Sequence, residues 1–341
     1  MDDPIAKTSL SNLANAFEAF VQEYPVLDIG RRIHPADAFA LWRTLFRRNP
    51  DPVNELPNLL SFVGTYREWF ARLANSPEFA SSTPILPAGY VWMAEIEGLR
   101  FWFDTGDREM GLVMAMNRYE PEVLELMKAT IRPGMRCIDA GANTGYYTCI
   151  MGKMVGPTGK IYAFEPMPSS FLMLKRNVAE NDLVAIVDAH ELACSRRRMV
   201  LEATVLANMF IAGAREAGQK VNMNAVPVDE IVSGPIDILK VDVEGHEIEA
   251  LAGMTRIIHE HRPVIFSEIN QYWLQTCAGT TGKAYLQSLN DLGYRVFNVK
   301  QPNIELRAAD FSMDILDTMD VIARPEDVAS HPRRNWSWRG K

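Results

Sequence analysis

The chain has 341 residues, of which 48% are hydrophobic and 23% are charged, and its formal net charge is -8. These proportions are ordinary for a soluble globular protein, and the length suffices for one large α/β domain and a small one. The negative charge argues against a nucleic acid or an anionic membrane surface as the main partner. The four cysteines, Cys137, Cys149, Cys194 and Cys277, form no C-x-x-C pair. This spacing argues against a zinc cluster or a disulfide framework and favours a reducing compartment.

The sequence predicts neither an export signal nor a membrane span. The N-terminus begins with Asp2 and Asp3 and has no apolar core of signal-peptide length. No stretch approaches the ~18 consecutive apolar residues of a transmembrane helix. We therefore expect a cytoplasmic protein without stable membrane insertion. Whether the chain forms a homo-oligomer stays open.

Residues 1 to about 80 have the apolar spacing of helices. Apolar side chains recur on one helical face in three segments, near residues 13–24, 39–46 and 66–73. A stretch rich in Ser and Pro follows, around Pro84, and is typical of a linker. The pattern predicts a small helical domain over residues 1–84 and a second domain over residues 85–341.

Beyond the linker, short β-prone runs replace the helical spacing. Tyr90 to Ile96 and Leu99 to Asp104 flank Glu97-Gly98, which predicts a hairpin. A helix is predicted to begin at Glu120-Pro121.

From residue 136 onward, strands and helices alternate along the chain. The predicted strands lie near residues 136–139, 160–164, 184–190, 236–242 and 263–268. Apolar strands in such alternation favour a doubly wound, mostly parallel sheet with helices on both faces. Two later strands, near 294–299 and 319–323, are separated by a polar stretch with Pro302 and are expected to close the sheet as an antiparallel pair.

The first candidate site follows the strand that ends in Asp139. Gly141 and Gly145 let the backbone of the following turn approach a ligand closely, and the next helix begins there with free amides. The next strand ends in Glu165, where a carboxylate can accept both hydroxyls of a ribose. These residues predict a nucleoside-containing cofactor at the turn.

Dinucleotide sites and methyl-donor sites share this layout. A dehydrogenase fingerprint is G-x-G-x-x-G, which cradles a pyrophosphate on backbone amides. Here no third glycine follows at the required offset, and Asp139 would repel a pyrophosphate. An acid at that point suits a ligand with a sulfonium and an ammonium group, as in S-adenosylmethionine. A nicotinamide-dependent oxidoreductase is the competing interpretation.

A second cluster of polar residues follows a later apolar strand. Lys240 and Asp242 share one face of this strand, as does Glu244 if the strand continues, because side chains alternate. His246 comes next in the chain, and Glu268 ends the strand after that. Ligands of open α/β sheets bind beyond the carboxyl ends of the strands. We call Asp242, Glu244, His246 and Glu268 the rim and predict that they surround the reacting group.

Four segments of the chain resemble the FkbM-type methyltransferases: Tyr119-Glu120-Pro121, Asp139 to Gly145 (D-A-G-A-N-T-G), Phe164-Glu165-Pro166 and Leu239 to Glu247 (L-K-V-D-V-E-G-H-E). The resemblance covers roughly Tyr119 to Asn270. It implies a class I methyltransferase fold, a Rossmann-like sheet of strand order 3-2-1-4-5-7-6, and O-methylation of sugars or polyketide hydroxyls. It also implies S-adenosylmethionine bound by Tyr119, Asp139, Gly141, Asn143, Gly145 and Glu165. The segment from Cys194 to Val226 lacks a family pattern and is predicted to bind the acceptor.

Methyl transfer to a hydroxyl requires alignment of donor and acceptor and removal of the hydroxyl proton. His246 is the first candidate base, because a position at a helix N-terminus would keep its imidazole neutral. Asp242 or Glu244 could accept the proton instead, and Lys240 either acts in catalysis or pairs with Asp242. A further alternative is Mg²⁺ or Ca²⁺ held by Asp242 and Glu268.

The partner expected for the site is a small-molecule or glycan acceptor. Residues 34–81 resemble, more weakly, a small helical module found beside glycan-synthesis enzymes. This resemblance leaves a second interpretation open, in which the module is the interaction domain of a glycan-synthesis complex.

Overall fold

The computed structural model describes residues 26–28, 32, 38, 57, 61, 63–65, 69, 91–104, 119–206, 209–212, 219–309, 311–315 and 317–326. The chain divides into two compact units, Met1–Pro121 and Glu122–Lys341. Most of the three helical segments predicted before residue 80 lies outside the described residues. Of the described positions there, Ala38 and Trp69 are helical and buried. The domain boundary after residue 84 stays a prediction.

The first unit contains a three-stranded sheet of β1 (Val26–Asp28), β2 (Val91–Ile96) and β3 (Leu99–Asp104). The hairpin predicted at Glu97-Gly98 is confirmed, and both turn residues have positive φ, at 55° and 67°. β1 pairs in parallel with β2, so the purely helical description of residues 1–80 is wrong at this strand. Three residues are too few to show a period, and their partner lies far along the chain.

The remaining strands belong to the second unit. They are β4 (Arg136–Ala140), β5 (Lys160–Phe164), β6 (Val187–His190), β7 (Ala193–Cys194), β8 (Met199–Leu206), β9 (Met209–Ala212), β10 (Gln219–Val226), β11 (Ile238–Val241), β12 (Val264–Asn270), β13 (Tyr294–Asn298), β14 (Gln301–Leu306) and β15 (Thr318–Pro325). Eight of them form one sheet of order β14-β13-β15-β12-β11-β4-β5-β6. β7 to β10 form a separate four-stranded sheet of order β7-β10-β8-β9.

The order of the large sheet confirms the fold class. Numbered from β4, the strands run 3-2-1-4-5-7-6, and β15 is antiparallel to both neighbours, β12 and β13. This is the Rossmann-like sheet of the class I methyltransferases, and the late strands close it as expected. β14 is an addition at the edge, where the sequence predicted only a polar separator. Pro302 is tolerated there because an edge strand has one row of unpaired amides.

Helices cover this sheet and bring the site together. They are α1 (Pro121–Thr130), α2 (Tyr146–Val155), α3 (Pro168–Glu180), α4 (Glu247–Ala252), α5 (Thr255–His261), α6 (Gln271–Ala278) and α7 (Gly282–Asp291). β11 is buried along its whole length, as expected for a central parallel strand covered on both faces. The carboxyl ends of β4, β5, β11 and β12 therefore lie at one edge of the sheet, where the candidate residues follow them.

No helix among the described residues has the length and apolarity that a bilayer span requires.

Candidate functional site

The turn after β4 has an unusual backbone. Gly141, Asn143 and Gly145 all have positive φ, at 86°, 47° and 88°. A Cβ on Gly145 would stand 2.6 Å from Leu174 Cδ1 of α3, so the glycine allows the turn to pack closely against that helix. The predicted need for glycines is confirmed in geometry: they bend the chain from β4 into α2 without a steric cost.

The amides of this turn donate within the protein. The N–H groups of Gly141 and Ala142 both donate to the Phe164 carbonyl, at 3.0 Å each. The Asn143 N–H donates to Glu165 Oε2 at 2.8 Å, and the Gly145 N–H donates to the Ala142 carbonyl at 2.8 Å. A pyrophosphate cradle needs such amides to be free to face the ligand. Three of these amides are already used to hold the turn on Phe164 and Glu165, and the fourth, that of Gly145, is bonded within the turn itself.

Asp139 lies near the end of β4 and is 1% exposed. Its Oδ2 accepts a hydrogen bond from Thr148 Oγ1 of α2 at 2.6 Å, whereas Oδ1 has no partner among the described residues. Burial raises the pKa of this carboxyl, and the nearby Lys240 acts in the opposite direction. A buried acid with one oxygen unused is suited to a polar or cationic ligand group.

Glu165 follows β5 and is 7% exposed. Its two oxygens accept from backbone amides, Oε2 from Asn143 and Oε1 from Met167 at 2.9 Å. Burial raises its pKa to about 7, even though both amide hydrogen bonds lower it. Each carboxylate oxygen keeps further acceptor capacity, so two adjacent hydroxyls of a ribose could be bound there.

These observations fit S-adenosylmethionine. Asp139 has a buried carboxylate oxygen without a partner among the described residues, and the carboxylate of Glu165 is oriented by backbone amides. At Gly141 and Gly145, no side chain blocks the approach of a ligand to the turn. Tyr119 lies in the first unit, just before α1. That Tyr119 binds the cofactor stays a prediction. The same holds for Asn143, for which the structure shows only a role in shaping the turn.

The buried Lys240 on β11 forms an ion pair with Asp242, a half-buried residue that directly follows the strand. Lys240 Nζ lies 2.7 Å from Asp242 Oδ2 and 4.7 Å from the centre of the Tyr147 ring on α2. The Lys240 side chain is therefore oriented by both a carboxylate and an aromatic face. Lys240 was expected either to act in catalysis or to pair with Asp242, and the structure contains the ion pair.

Glu244 does not share the strand face with Lys240 and Asp242, so this conditional expectation is wrong. β11 ends at Val241, and the Asp242 N–H makes one further ladder bond, to the Ala140 carbonyl at 3.0 Å. Glu244 and Gly245 then have positive φ, at 50° and 90°. The chain turns sharply instead of continuing the strand, because two successive left-handed residues cannot belong to a β ladder.

His246 directly precedes α4 as its N-cap residue, as expected of the candidate base. Burial lowers the pKa of its imidazole, while a hydrogen bond to the Glu244 backbone and the charge of Glu249 act in the opposite direction. Burial therefore favours the neutral form of the imidazole, whereas the sequence analysis had attributed this to the helix N-terminus. A neutral imidazole can accept a proton at its unprotonated ring nitrogen.

Glu268 lies within β12, which continues to Asn270, and does not end that strand. The parallel register pairs Val241 with Ser267, so the next residues, Asp242 and Glu268, are neighbours at the rim. Across the antiparallel pair, Glu268 stands opposite Asp320. No group of three or more His, Cys, Asp or Glu side chains in the described part of the chain could hold a metal ion. The suggested Mg²⁺ or Ca²⁺ thus has no support there.

The sequence analysis missed Glu247, a buried carboxylate directly behind the rim. Glu247 is 3% exposed, and its Oε1 accepts from the Gly245 N–H at 3.1 Å and from the Val243 N–H at 3.3 Å. Burial raises its pKa to about 7. A glutamate at the first position of a helix usually faces water, so its burial gave no signal in the sequence.

The segment predicted to bind the acceptor forms the four-stranded sheet β7 to β10. Its base is fixed to the junction of α4 and α5, where a Cβ on Gly253 would stand 2.1 Å from the Ser195 carbonyl oxygen. Arg196 and Glu249 form an ion pair beside this contact. At the other side of the sheet, β9 contacts α6, the helix that follows β12. The sheet β7 to β10 thus contacts two parts of the chain that adjoin the rim, the junction of α4 and α5 and the helix α6.

Part of the second unit is similar to known proteins. Residues 139–296 match the model of the methyltransferase FkbM domain. Methyltransferase sdnD of Sordaria araneosa is 28% identical over a match that covers 40% of this chain and 65% of that protein. The hexuronic acid methyltransferase AglP of Haloferax volcanii is 29% identical, with 43% of this chain and 62% of that protein covered. The chain thus spans less than two thirds of the length of either relative.

Among solved structures, methyltransferase FkbM from Methylobacillus flagellatus KT is similar to this chain, with a TM-score of 0.37 and 16% sequence identity. The similarity covers 64% of this chain and 53% of that one.

Proposed function

We propose that this protein transfers a methyl group from S-adenosylmethionine to a hydroxyl of a sugar, glycan or polyketide-type natural product, in agreement with the match of residues 139–296 to the model of the methyltransferase FkbM domain. This proposal rests mainly on the hydrogen bonds that the amides of the turn after β4 donate within the protein. Gly141, Ala142 and Asn143 donate to Phe164 and Glu165, which leaves buried carboxylates, and not free amides, at the ligand position. Carboxylates favour a ligand with cationic groups over a pyrophosphate.

Asp139 and Glu165 would hold the cofactor, with Gly141 and Gly145 shaping the turn beneath it. When bound, S-adenosylmethionine supplies a methyl group on a positively charged sulfur. The Glu165 carboxylate is oriented by the Asn143 and Met167 amides before any ligand arrives. Asp139 is fixed by Thr148 in the same way. Such preorganisation lowers the entropy cost of binding and fixes where the donor group lies.

The rim would bind and deprotonate the acceptor. His246 is the proposed base, because burial keeps its imidazole neutral near pH 7 and one ring nitrogen can then take the hydroxyl proton. Asp242 is a weaker candidate, since its carboxylate is already paired with Lys240. Glu244 is held at the turn by an unusual backbone conformation and stays an alternative.

The proposed acceptor class rests on the names of the relatives, and the proposed acceptor-binding element is the sheet β7 to β10. One relative is named as a hexuronic acid methyltransferase and another as a 31-O-demethyl-FK506 methyltransferase. The acceptor in the first name is a sugar acid, and the second name refers to an O-methyl position. The sheet β7 to β10, fixed to α4 and in contact with α6, is the proposed element that selects the acceptor.

The activity can be tested by transfer of tritium from methyl-labelled S-adenosylmethionine. The panel of acceptors would contain hexuronic acids, neutral hexoses, their nucleotide-linked forms and macrolides with free hydroxyls. We expect label in at least one hydroxyl acceptor, and base-stable linkage of the product would identify an ether. Label confined to carboxyl groups, as base-labile esters, would contradict O-methylation of a hydroxyl.

A further inference from the structure

The loop that carries the candidate base is held by a carboxylate from behind. Glu247 is the first residue of α4, and its Oε1 accepts the N–H groups of Gly245 and Val243. Both amides precede the helix, whose N-cap His246 makes no side-chain capping bond. These two hydrogen bonds stabilise the loop Val243–His246, and a further one, to the backbone of Glu247 itself, lowers the pKa of the carboxyl.

This loop would not keep its shape without such contacts. Glu244 has φ of 50°, a conformation that costs free energy for a residue with a side chain and persists only when its surroundings impose it. On the opposite side, Gly245 packs so closely on α6 that a Cβ would stand 2.4 Å from the Trp273 carbonyl oxygen. The loop is thus held between the Glu247 carboxylate and the α6 backbone.

The end of β11 has a separate support. Ser267 Oγ donates to the Val241 carbonyl at 2.7 Å and lies 2.8 Å from the Tyr285 hydroxyl of α7. Asp242 is held in the sheet by its ladder bond to Ala140. Residues up to 242 are therefore fixed by the strand, and Glu247 supports only the part of the rim that follows. Loss of Glu247 should for this reason leave the cofactor turn in place.

We propose that Glu247 is a positioning residue for the proposed methyl transfer: its buried carboxylate holds the loop Val243–His246 in the strained conformation that presents Glu244 and His246 to the acceptor. The proposal rests on the proposed function. It assigns to Glu247 no contact with either substrate, and it predicts an effect on turnover rather than on cofactor binding.

Three variants test this role. Glu247→Ala removes both hydrogen bonds, whereas Glu247→Gln keeps an oxygen that can accept them. Asp229→Ala is the matched control, because the Asp229 carboxylate also accepts two backbone amides, those of Arg256 and Ile257 at 2.7 and 3.1 Å, but at α5. The measurements are hydrogen exchange of the amides in the loop, calorimetric affinity for S-adenosylhomocysteine, and the rate and KM for the acceptor found in the tritium assay.

For Glu247→Ala we expect faster exchange of the Val243 and Gly245 amides and a lower kcat, each by about 10- to 100-fold, the range for hydrogen bonds to a charged group. The Kd for S-adenosylhomocysteine should change less than threefold. Glu247→Gln should restore both exchange and kcat to within about threefold of the wild type. Asp229→Ala should speed exchange in α5 only and leave kcat unchanged.

Three results would overturn the proposal: unchanged loop exchange in Glu247→Ala, failure of Glu247→Gln to restore what Ala loses, or equal loss of kcat in Asp229→Ala. Failure of the proposed function looks different. In that case the wild type itself binds no S-adenosylhomocysteine and labels no acceptor, and the exchange data still decide whether Glu247 holds the loop.

Discussion

The α-carbon of Gly141 lies directly against the backbone of Asp242: a Cβ at position 141 would stand 1.7 Å from the Asp242 carbonyl oxygen. This contact joins the cofactor turn after β4 to the first residue of the rim after β11. Because this oxygen belongs to the backbone, no side-chain rotation can relieve an overlap there. The proposed donor and acceptor sites therefore share one rigid boundary.

Gly141→Ala should be strongly destabilising for this reason. The positive φ of 86° and the overlap with Asp242 act together, so we expect a loss of about 2–5 kcal/mol in the free energy of unfolding. Urea denaturation measures it. Gly279→Ala is the control, since Gly279 also has positive φ, at 62°, but has nothing within 4 Å of the added Cβ. That variant should lose only about 1 kcal/mol. Equal losses in both variants would show that the contact with Asp242 has no energetic weight.

Glu165→Ala should weaken the binding of S-adenosylhomocysteine by about 1.5–3 kcal/mol, the scale of hydrogen bonds to a charged group. In the wild type, affinity should rise as the pH increases from 6 to 8, because the ligand hydroxyls need the ionised carboxylate and its pKa is about 7. Calorimetry at several pH values measures both effects. Glu165→Gln should bind weakly and without this pH dependence. A pH dependence that persists in Glu165→Gln would place the titrating group elsewhere.

The pH dependence of stability follows from Glu165 and Glu247. Both have a folded-state pKa of about 7, raised by burial from the ordinary 4.5. Between these values the folded protein holds more protons than the unfolded chain, so each group lowers stability as the pH rises from about 4.5 to 7 and adds no further change above. Thermal unfolding should show a smaller fall in Tm over this range for Glu247→Gln than for the wild type. Identical Tm profiles would contradict the raised pKa of Glu247.

How far the sequence predicts this molecule depends on whether the deciding contact is local. The Glu97-Gly98 hairpin was predictable because two adjacent residues with positive φ determine it. The positions of Asp139 and Glu165 followed from strands that end in acids. The hydrogen-bond partners of the turn amides could not be predicted in this way, because the Phe164 carbonyl that accepts two of them belongs to another strand.

Two of the misses, the end of β11 and the burial of Glu247, have the same origin. After β11 ends at Val241, the turn packs on α6 at Gly245, a contact between residues far apart in the chain. The burial of Glu247 depends on the helices around it. Neither contact leaves a periodic pattern in the sequence. Because the pKa of a carboxylate depends on its burial, the raised pKa of Glu247 could not be predicted either.

His246→Ala should bind S-adenosylhomocysteine with unchanged affinity and lose about 10²–10⁴ in rate, the usual contribution of a general base. The tritium assay with the identified acceptor measures the rate. His259→Ala is the control, because His259 is an exposed histidine on α5. Full activity of both His246→Ala and Asp242→Asn would show that the base lies elsewhere. Inactivation by EDTA with rescue by Mg²⁺ would instead move the chemistry to a metal ion at Asp242 and Glu268.

The central claim is that the turn after β4 and the acid after β5 bind a methyl donor and not a dinucleotide. Titration calorimetry of the purified protein with S-adenosylhomocysteine and, separately, with NAD tests it most directly. We predict saturable binding of S-adenosylhomocysteine that Glu165→Ala weakens by about 10- to 100-fold, and no heat of binding with NAD. Saturable binding of NAD together with no response to S-adenosylhomocysteine would contradict the assignment.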